Sequence, residues 1–296
     1  MATMNAHRPT PRWRVRVLTV LAAAATLLGV ALLASQGWSR YHLSVLMGTL
    51  RRKACESEAE RDARHATAQS IAASESLSTL SALISARDLE SSTRARLMDG
   101  LGERWDDQVA DTLLSLAADS SEERALRLNA LQRLSERGDL RVAPIIVRIA
   151  AFEPEVDEYH ALPRALRVLP SSPTAAALTE VLAHDFRGEA LGRALLLLEE
   201  ARLAPHLDRA SFAQWLSSDC VYTRERALFL LAKRCDHLLA PLLIAALADA
   251  DDDIRHMAAC VLRDWSGMDH GMDQGRWRQW YDEVSAPTTA ERSSQR

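Results

Sequence analysis

Four aspartates within five residues, Asp249, Asp251, Asp252 and Asp253, form the densest group of potential ligands in this sequence. A calcium loop would alternate oxygen ligands in this way, but it also needs a glycine for its sharp turn and a distal bidentate glutamate. Both are missing. An acidic turn that caps the helix starting near Ile254 accounts for the run, because side-chain oxygens satisfy free amides and negative charge meets the positive end of a helix dipole. The nine histidines include no His-x-x-x-His pair and there is no Cys-x-x-Cys, while His184-Asp185 and Asp269-His270 stand isolated, so no zinc site is expected. No Gly-x-Ser-x-Gly, P-loop or dinucleotide fingerprint occurs either. On these residues the expectation is no enzyme, no cofactor and no metal.

Cysteines and arginines are the remaining reactive or charged groups with a pattern. Cys220 and Cys235 bracket one helix and would stand roughly 22 Å apart at helical rise, beyond the reach of a disulfide. Cys260, beside Ala259, reads as a buried structural thiol, and Cys55 is alone. Arg94, Arg127, Arg224 and Arg255 recur at one point of a repeating pattern. They could line a basic stripe for an acidic partner, or each could bond the Asp of its own or the adjacent turn. The second reading is favoured, because Asp88, Asp219 and Asp249 lie one to two helical turns before an arginine of the column.

The elements that must carry these residues are helices. The chain of 296 residues is 48% hydrophobic but only 5% aromatic, is rich in Ala and Leu, and shows almost no strand-like alternation. Its 36 basic and 40 acidic residues leave no excess of positive charge for phosphates, so nucleic acid is an unlikely class of partner on this count alone. The clearest unit runs from Pro241 to Gly267: an apolar helix with Leu242, Leu243, Ala246 and Leu247, an acidic turn, and a second helix with Ile254, Ala258, Val261 and Leu262 at helical spacing. Aligned to Ala258, the second helices give Leu97, Ala130, Ala165, Ala194 and Ala227, at intervals of 29 to 35 residues. Each copy repeats an apolar residue four positions on, at Leu101, Leu134, Leu169, Leu198, Leu231 and Leu262. The arginine column fails in the third and fourth copies, which have Leu162 and Leu191.

Pro144, Pro173, Pro205 and Pro241 fall near helix starts, where a missing N–H costs nothing. Pro163 is expected to interrupt the second helix of the third copy and Pro170 to end it early, giving a kinked or irregular repeat. Period, hairpin length and the small-apolar column together resemble the HEAT and HEAT-like (PBS-lyase-type) helical repeat family over residues 77–267. That resemblance implies an all-α fold, a right-handed α-solenoid of about six hairpins, with second helices lining a face that holds a protein partner. It also implies two alternatives: a lyase- or chaperone-type protein acting on a client, or a structural subunit of an envelope complex.

Outside the repeats, residues 1–16 carry five His or Arg residues and no acid, and Val17 to Ala34 contains no charge. A run of this length just suffices to cross a bilayer, and Trp13 and Trp38 flank it where interfacial aromatics belong. Residues 17–36 therefore read as an inner-membrane anchor, or an uncleaved signal, with a cytoplasmic tail before it and a periplasmic chain after it. Residues 37–76 read as a helical stalk, solvated around Glu56 to Arg64 with Glu60 and Arg64 paired at i, i+4. After a Gly-rich loop, Trp277, Trp280 and Tyr281 share one helix face within 268–284 and read as a cap over the last hairpin. Residues 285–296 read as a disordered tail.

Overall fold

The computed structural model describes residues 39–51, 56–153 and 161–285. Among these every extended element is a helix and no strand occurs. Two compact units divide at Trp105. The first contains α1 (39–50), α2 (Glu58–Ser74), α3 (Leu77–Ile84) and α4 (Ser91–Asp99). The second contains α5 (Asp107–Ala118), α6 (Arg124–Glu136), α7 (Val142–Phe152), α8 (Ala161–Val168), α9 (Ser171–Asp185), α10 (Gly188–Glu200), α11 (Arg209–Leu216), α12 (Val221–Arg234), α13 (Ala240–Ala246), α14 (Asp252–Ser266) and α15 (Gln274–Ser285).

Within each unit odd- and even-numbered helices succeed one another as pairs. In the second unit the even helices α6, α8, α10, α12 and α14 stack in series, as do the odd helices α5, α7 and α9, and then α11, α13 and α15. The small-apolar column is the seam of this packing. Leu97, Ala130, Ala165, Ala194, Ala227 and Ala258 are all buried, as are the six leucines four positions on. Each helix buries one apolar face against its pair and its neighbours, which is the main source of stability for a short helix. Helix starts are set by Ser57, whose capping box includes Glu60, and by Ser76, Asp106, Asp208 and Asp251, each accepting from a first-turn amide.

Several expectations are corrected. The stalk is not one: α2 packs on α4 and buries Arg64, Ala68, Ile71 and Ala72, so it belongs to the packed unit ahead of the six pairs expected. Glu60 is used by the capping box and Arg64 points inward, so their surface pair is replaced. Pro163 does not interrupt a helix, since the described span of α8, Ala161–Val168, runs through it unbroken; the helix does end at Val168, two residues before Pro170, as expected. Pro170 stands at the N-cap of α9, and the irregularity of this region is that α10 packs mainly on α7 and α12 and little on α9. Asp88, Asp119, Asp219 and Asp249, whose positions between helices predict that they end first helices or cap second ones, cap no second helix, while Asp119 does end α5; the cap of α14 is Asp251.

No helix among the described residues is long and apolar enough to cross a membrane. The expected anchor at 17–36, the tail at 1–16, Cys55 and residues 286–296 lie outside the described residues.

Candidate functional site: an arginine ladder and the α10–α12 surface

The four arginines of the column each occupy the fourth position of a second helix, α4, α6, α12 or α14. From there a guanidinium reaches carbonyls at the end of the first helix of its own pair or in the turn that follows it. Arg94 Nε donates to Ile84 O at 2.6 Å, and Arg127 Nε to Ala117 O at 3.1 Å. Arg224 donates to Ser218 O and Asp219 O, and Arg255 to Asp249 O and Ala250 O. Arg127 and Arg224 also take a carboxylate from the following pair. Arg127 forks onto both oxygens of Glu153 at 2.9 and 2.8 Å, and Arg224 onto both oxygens of Asp249 at 2.8 and 2.9 Å. Arg255 instead pairs with Asp252 on its own helix. Arg94, Arg127 and Arg224 are buried and form no stripe for a partner. Arg224 bonds the aspartate of the adjacent turn, Asp249, as expected, and turn or helix-end carbonyls are added acceptors; Asp88 pairs with Arg51.

Three further arginines, Arg64, Arg104 and Arg193, also tie helices together and were missed; Arg104 donates to Ala72 O and Glu75 O at the end of α2. Arg64, with only 4% of its side chain exposed, bonds Glu56 at 2.9 Å, Glu90 at 2.7 Å and Thr93 Oγ1. The signal that finds it is a separation: Arg64 to Glu90 and Arg127 to Glu153 are both 26 residues apart, and Arg224 to Asp249 is 25. Arg193 reaches Ala151 O at the end of α7, 42 residues earlier, and so serves a first helix that is not its own partner. No column could show that, because the rung skips a pair.

Electrostatics follow the geometry. The Glu56 hydrogen bonds, opposed by burial and reinforced by Glu90, raise the Arg64 pKa above its already high ordinary value. For Asp249, burial favours the neutral acid, but the Arg224 fork and the Asp251 amide outweigh it and hold the carboxyl below the usual range. Burial, then the charges of Arg64 and Arg96, push the neighbouring His65 down. The four aspartates of the acidic turn are thus employed: Asp249 on Arg224, Asp251 on the amides of Asp253 and Ile254, and Asp252 on Arg255, with Asp253 in the first turn of α14. Among the described residues no three His, Cys, Asp or Glu side chains converge as metal ligands would.

With the column turned inward, the surface available for contact lies elsewhere. Tyr222, Arg226, Phe229 and Lys233 follow one face of α12 at i, i+4, i+7 and i+11, and none is fully buried. The Arg226 guanidinium lies 4.4 Å from the centre of the Phe229 ring and 5.5 Å from that of Tyr222. Glu225 holds it at 2.7 Å and Glu199 of α10 stands 3.9 Å away. Beside this stripe Glu199, Glu200, Arg202, Ala204, Pro205 and Lys233 line an open hollow of about 410 Å³. Arg226 is therefore posed by a stacked ring and two carboxylates before any partner arrives. The repeat alignment overlooked this face because it tracked buried positions, and the period of the stripe was the available signal.

Cys260 is exposed, contrary to the buried thiol expected, as is Cys235 in a left-handed backbone at the end of α12; both are free, as is Cys220. The terminal aromatics are placed by α15 against α13. Trp277 and Trp280 are buried edge to face at 5.6 Å, and Trp277 Nε1 donates to Gly271 O at 2.9 Å. Tyr281 is half-buried and lines a shallow dent with Pro241 and Ile244.

The class defined by these stacked pairs is an all-α helical repeat protein. No family model and no curated protein matches the chain. Among solved structures it is similar to human deoxyhypusine hydroxylase in complex with glycerol, at 18% identity and a TM-score of 0.33, covering 84% of this chain and 96% of that one. It is also similar to computationally designed armadillo repeat proteins for modular peptide recognition, at 14% identity and a TM-score of 0.29, covering 75% and 98%. At these scores the fold rests on the helices themselves, and neither likeness bears on function.

Proposed function

We propose that the chain is a docking scaffold for a protein partner, anchored in the inner membrane by residues 17–36 with its repeat units in the periplasm. The observation that carries the docking reading is the Tyr222, Arg226, Phe229, Lys233 face: aromatic and arginine side chains, already stacked, beside a hollow of about 410 Å³. Tyr and Arg are among the residues over-represented at the energetic centres of interfaces, and side chains ordered in advance lose less entropy on binding. Support for the anchor is the charge-free run Val17–Ala34 behind an arginine-rich tail.

The test is chemical crosslinking in membranes from cells making the native chain or a double variant, Arg226→Ala with Phe229→Ala. A discrete protein adduct should form with the native chain and fall sharply with the variant, while the purified variant keeps the native unfolding midpoint. An undiminished adduct would remove this face from the proposal. A reporter fused after Arg296 that works only in the cytoplasm would reject the periplasmic placement.

A further inference from the structure

Between Arg40 and Arg51 the outward side of α1 carries no charge, unlike that of α2 in the same unit. Leu46 and Leu50 turn inward and are buried. The exposed positions between Arg40 and Arg51 are Tyr41, Ser44, Val45, Gly48 and Thr49, and none carries a charge. Tyr41 is 64% exposed and Val45 46% exposed, one turn apart on the same side. Within the same unit α2 turns Glu58, Glu60 and Asp62 outward. An exposed helix in water normally carries charges on its outer face, so the neutral surface of α1 fits an environment other than bulk water.

Chain connectivity says which. Only residues 35–38 separate Ala34, the end of the charge-free run, from Ser39, where α1 is first described. Five Cα steps span at most about 18 Å when fully extended. The headgroup region beyond the hydrocarbon is itself about 5–8 Å thick. A chain leaving the bilayer at Ala34 therefore reaches Ser39 at or close above the lipid headgroups, and α1 runs about 18 Å from there. We propose that the Tyr41–Val45 face of α1 docks on the surface of the bilayer that residues 17–36 enter, seating the first helical unit on the membrane. This rests on the anchor reading given above. Tyr41 brings the ring and hydroxyl that suit the headgroup level, Val45 a small apolar contact, and Arg40 a cation among phosphates. Ser44 and Gly48 leave the face flat between them.

The full chain, with Cys55, Cys220, Cys235 and Cys260 changed to Ser, carries a nitrobenzoxadiazole label on Val45→Cys or, as a reference, on Gln132→Cys in the exposed face of α6. Each is placed in nanodiscs of phosphatidylcholine and phosphatidylglycerol that hold a single chain. The label at 45 should be several-fold less sensitive to iodide than the label at 132, and should be quenched by doxyl groups on the lipids. Equal iodide sensitivity at both positions, with the chain still resisting alkaline extraction from vesicles, would overturn the docking of α1 and leave the anchor standing. Release of the chain by alkali would reject the anchor and this inference with it. Shielding that appears only in discs holding two chains would assign the face to a second copy and overturn the membrane contact.

Discussion

At the scale of single residues, the charges of this protein divide into those that hold helix pairs together and those left outside. Arg224 and Asp249 belong to the first group, with 11% of each side chain exposed and two of the guanidinium bonds made to one carboxylate. Breaking a buried pair from one side leaves the other charge desolvated and unmatched, at a cost of about 3–5 kcal/mol. Arg224→Ala also frees the Ser218 and Asp219 carbonyls, so its urea-unfolding stability should fall by about 3 kcal/mol or more, and Arg224→Lys should recover only part because the fork is lost. Acid should act through the same pair. The folded-state pKa of Asp249 lies below its unfolded value, so the pair contributes fully above the unfolded value of about 3.9 and is lost as pH falls through the folded one. Asp249→Asn should therefore lower the midpoint at neutral pH and flatten the acid limb of a stability-versus-pH curve. An acid limb unchanged by the substitution would mean that other carboxylates set it.

At the scale of elements, close approach of helices limits what can be substituted. A Cβ on Gly192 in α10 would come 2.8 Å from Tyr222 Cε1 in α12 and nearer still to Cδ1, inside van der Waals contact. Gly192→Ala should cost about 1–3 kcal/mol through overpacking, despite alanine's better helix propensity. Adding Tyr222→Ala should return part of that loss, and simple additivity of the two in thermal unfolding would show that the ring is not the obstacle. Helix pairs with a strong small-apolar column were legible in the sequence, as were the Trp277 and Trp280 positions. α2 was not, because its buried face is made of Ala68, Ala72, Ile71 and an arginine, a composition that reads as a solvated stalk. Nor was α8, since a proline within a helical pattern reads as a break, whereas Ala161–Val168 runs through Pro163. The arginine column was legible, and so was the aspartate that Arg224 takes from the adjacent turn, but the carbonyl acceptors were not, because carbonyls near a helix end leave no mark in side-chain spacing.

At the scale of the second unit as a whole, damage should stay near where it is done. Each pair contacts its neighbours in series, and the last exposed flank of α13 is covered by α15 through Trp277 and Trp280. Gln274 adds a bond from its side-chain amide to Ile244 O at 3.1 Å, the same service to a first helix that arginines provide earlier in the chain. Trp277→Ala removes a fully buried ring and its hydrogen bond to Gly271 O, a change worth about 3–5 kcal/mol at its own site. In a stack whose stability is a sum of pair and neighbour terms, that loss lowers the cost of opening the end without equally weakening the interior. Amide exchange followed peptide by peptide should accelerate in α15, α13 and α14 and stay near the native rate in α5 and α6. Uniform acceleration from α5 to α15 would instead mean that the unit opens only globally. The distinction bears on the docking proposal, because one pair, α13 and α14, separates α12 from α15, and a partner's grip on Arg226 and Phe229 should survive a frayed end that a globally cooperative unit would not tolerate.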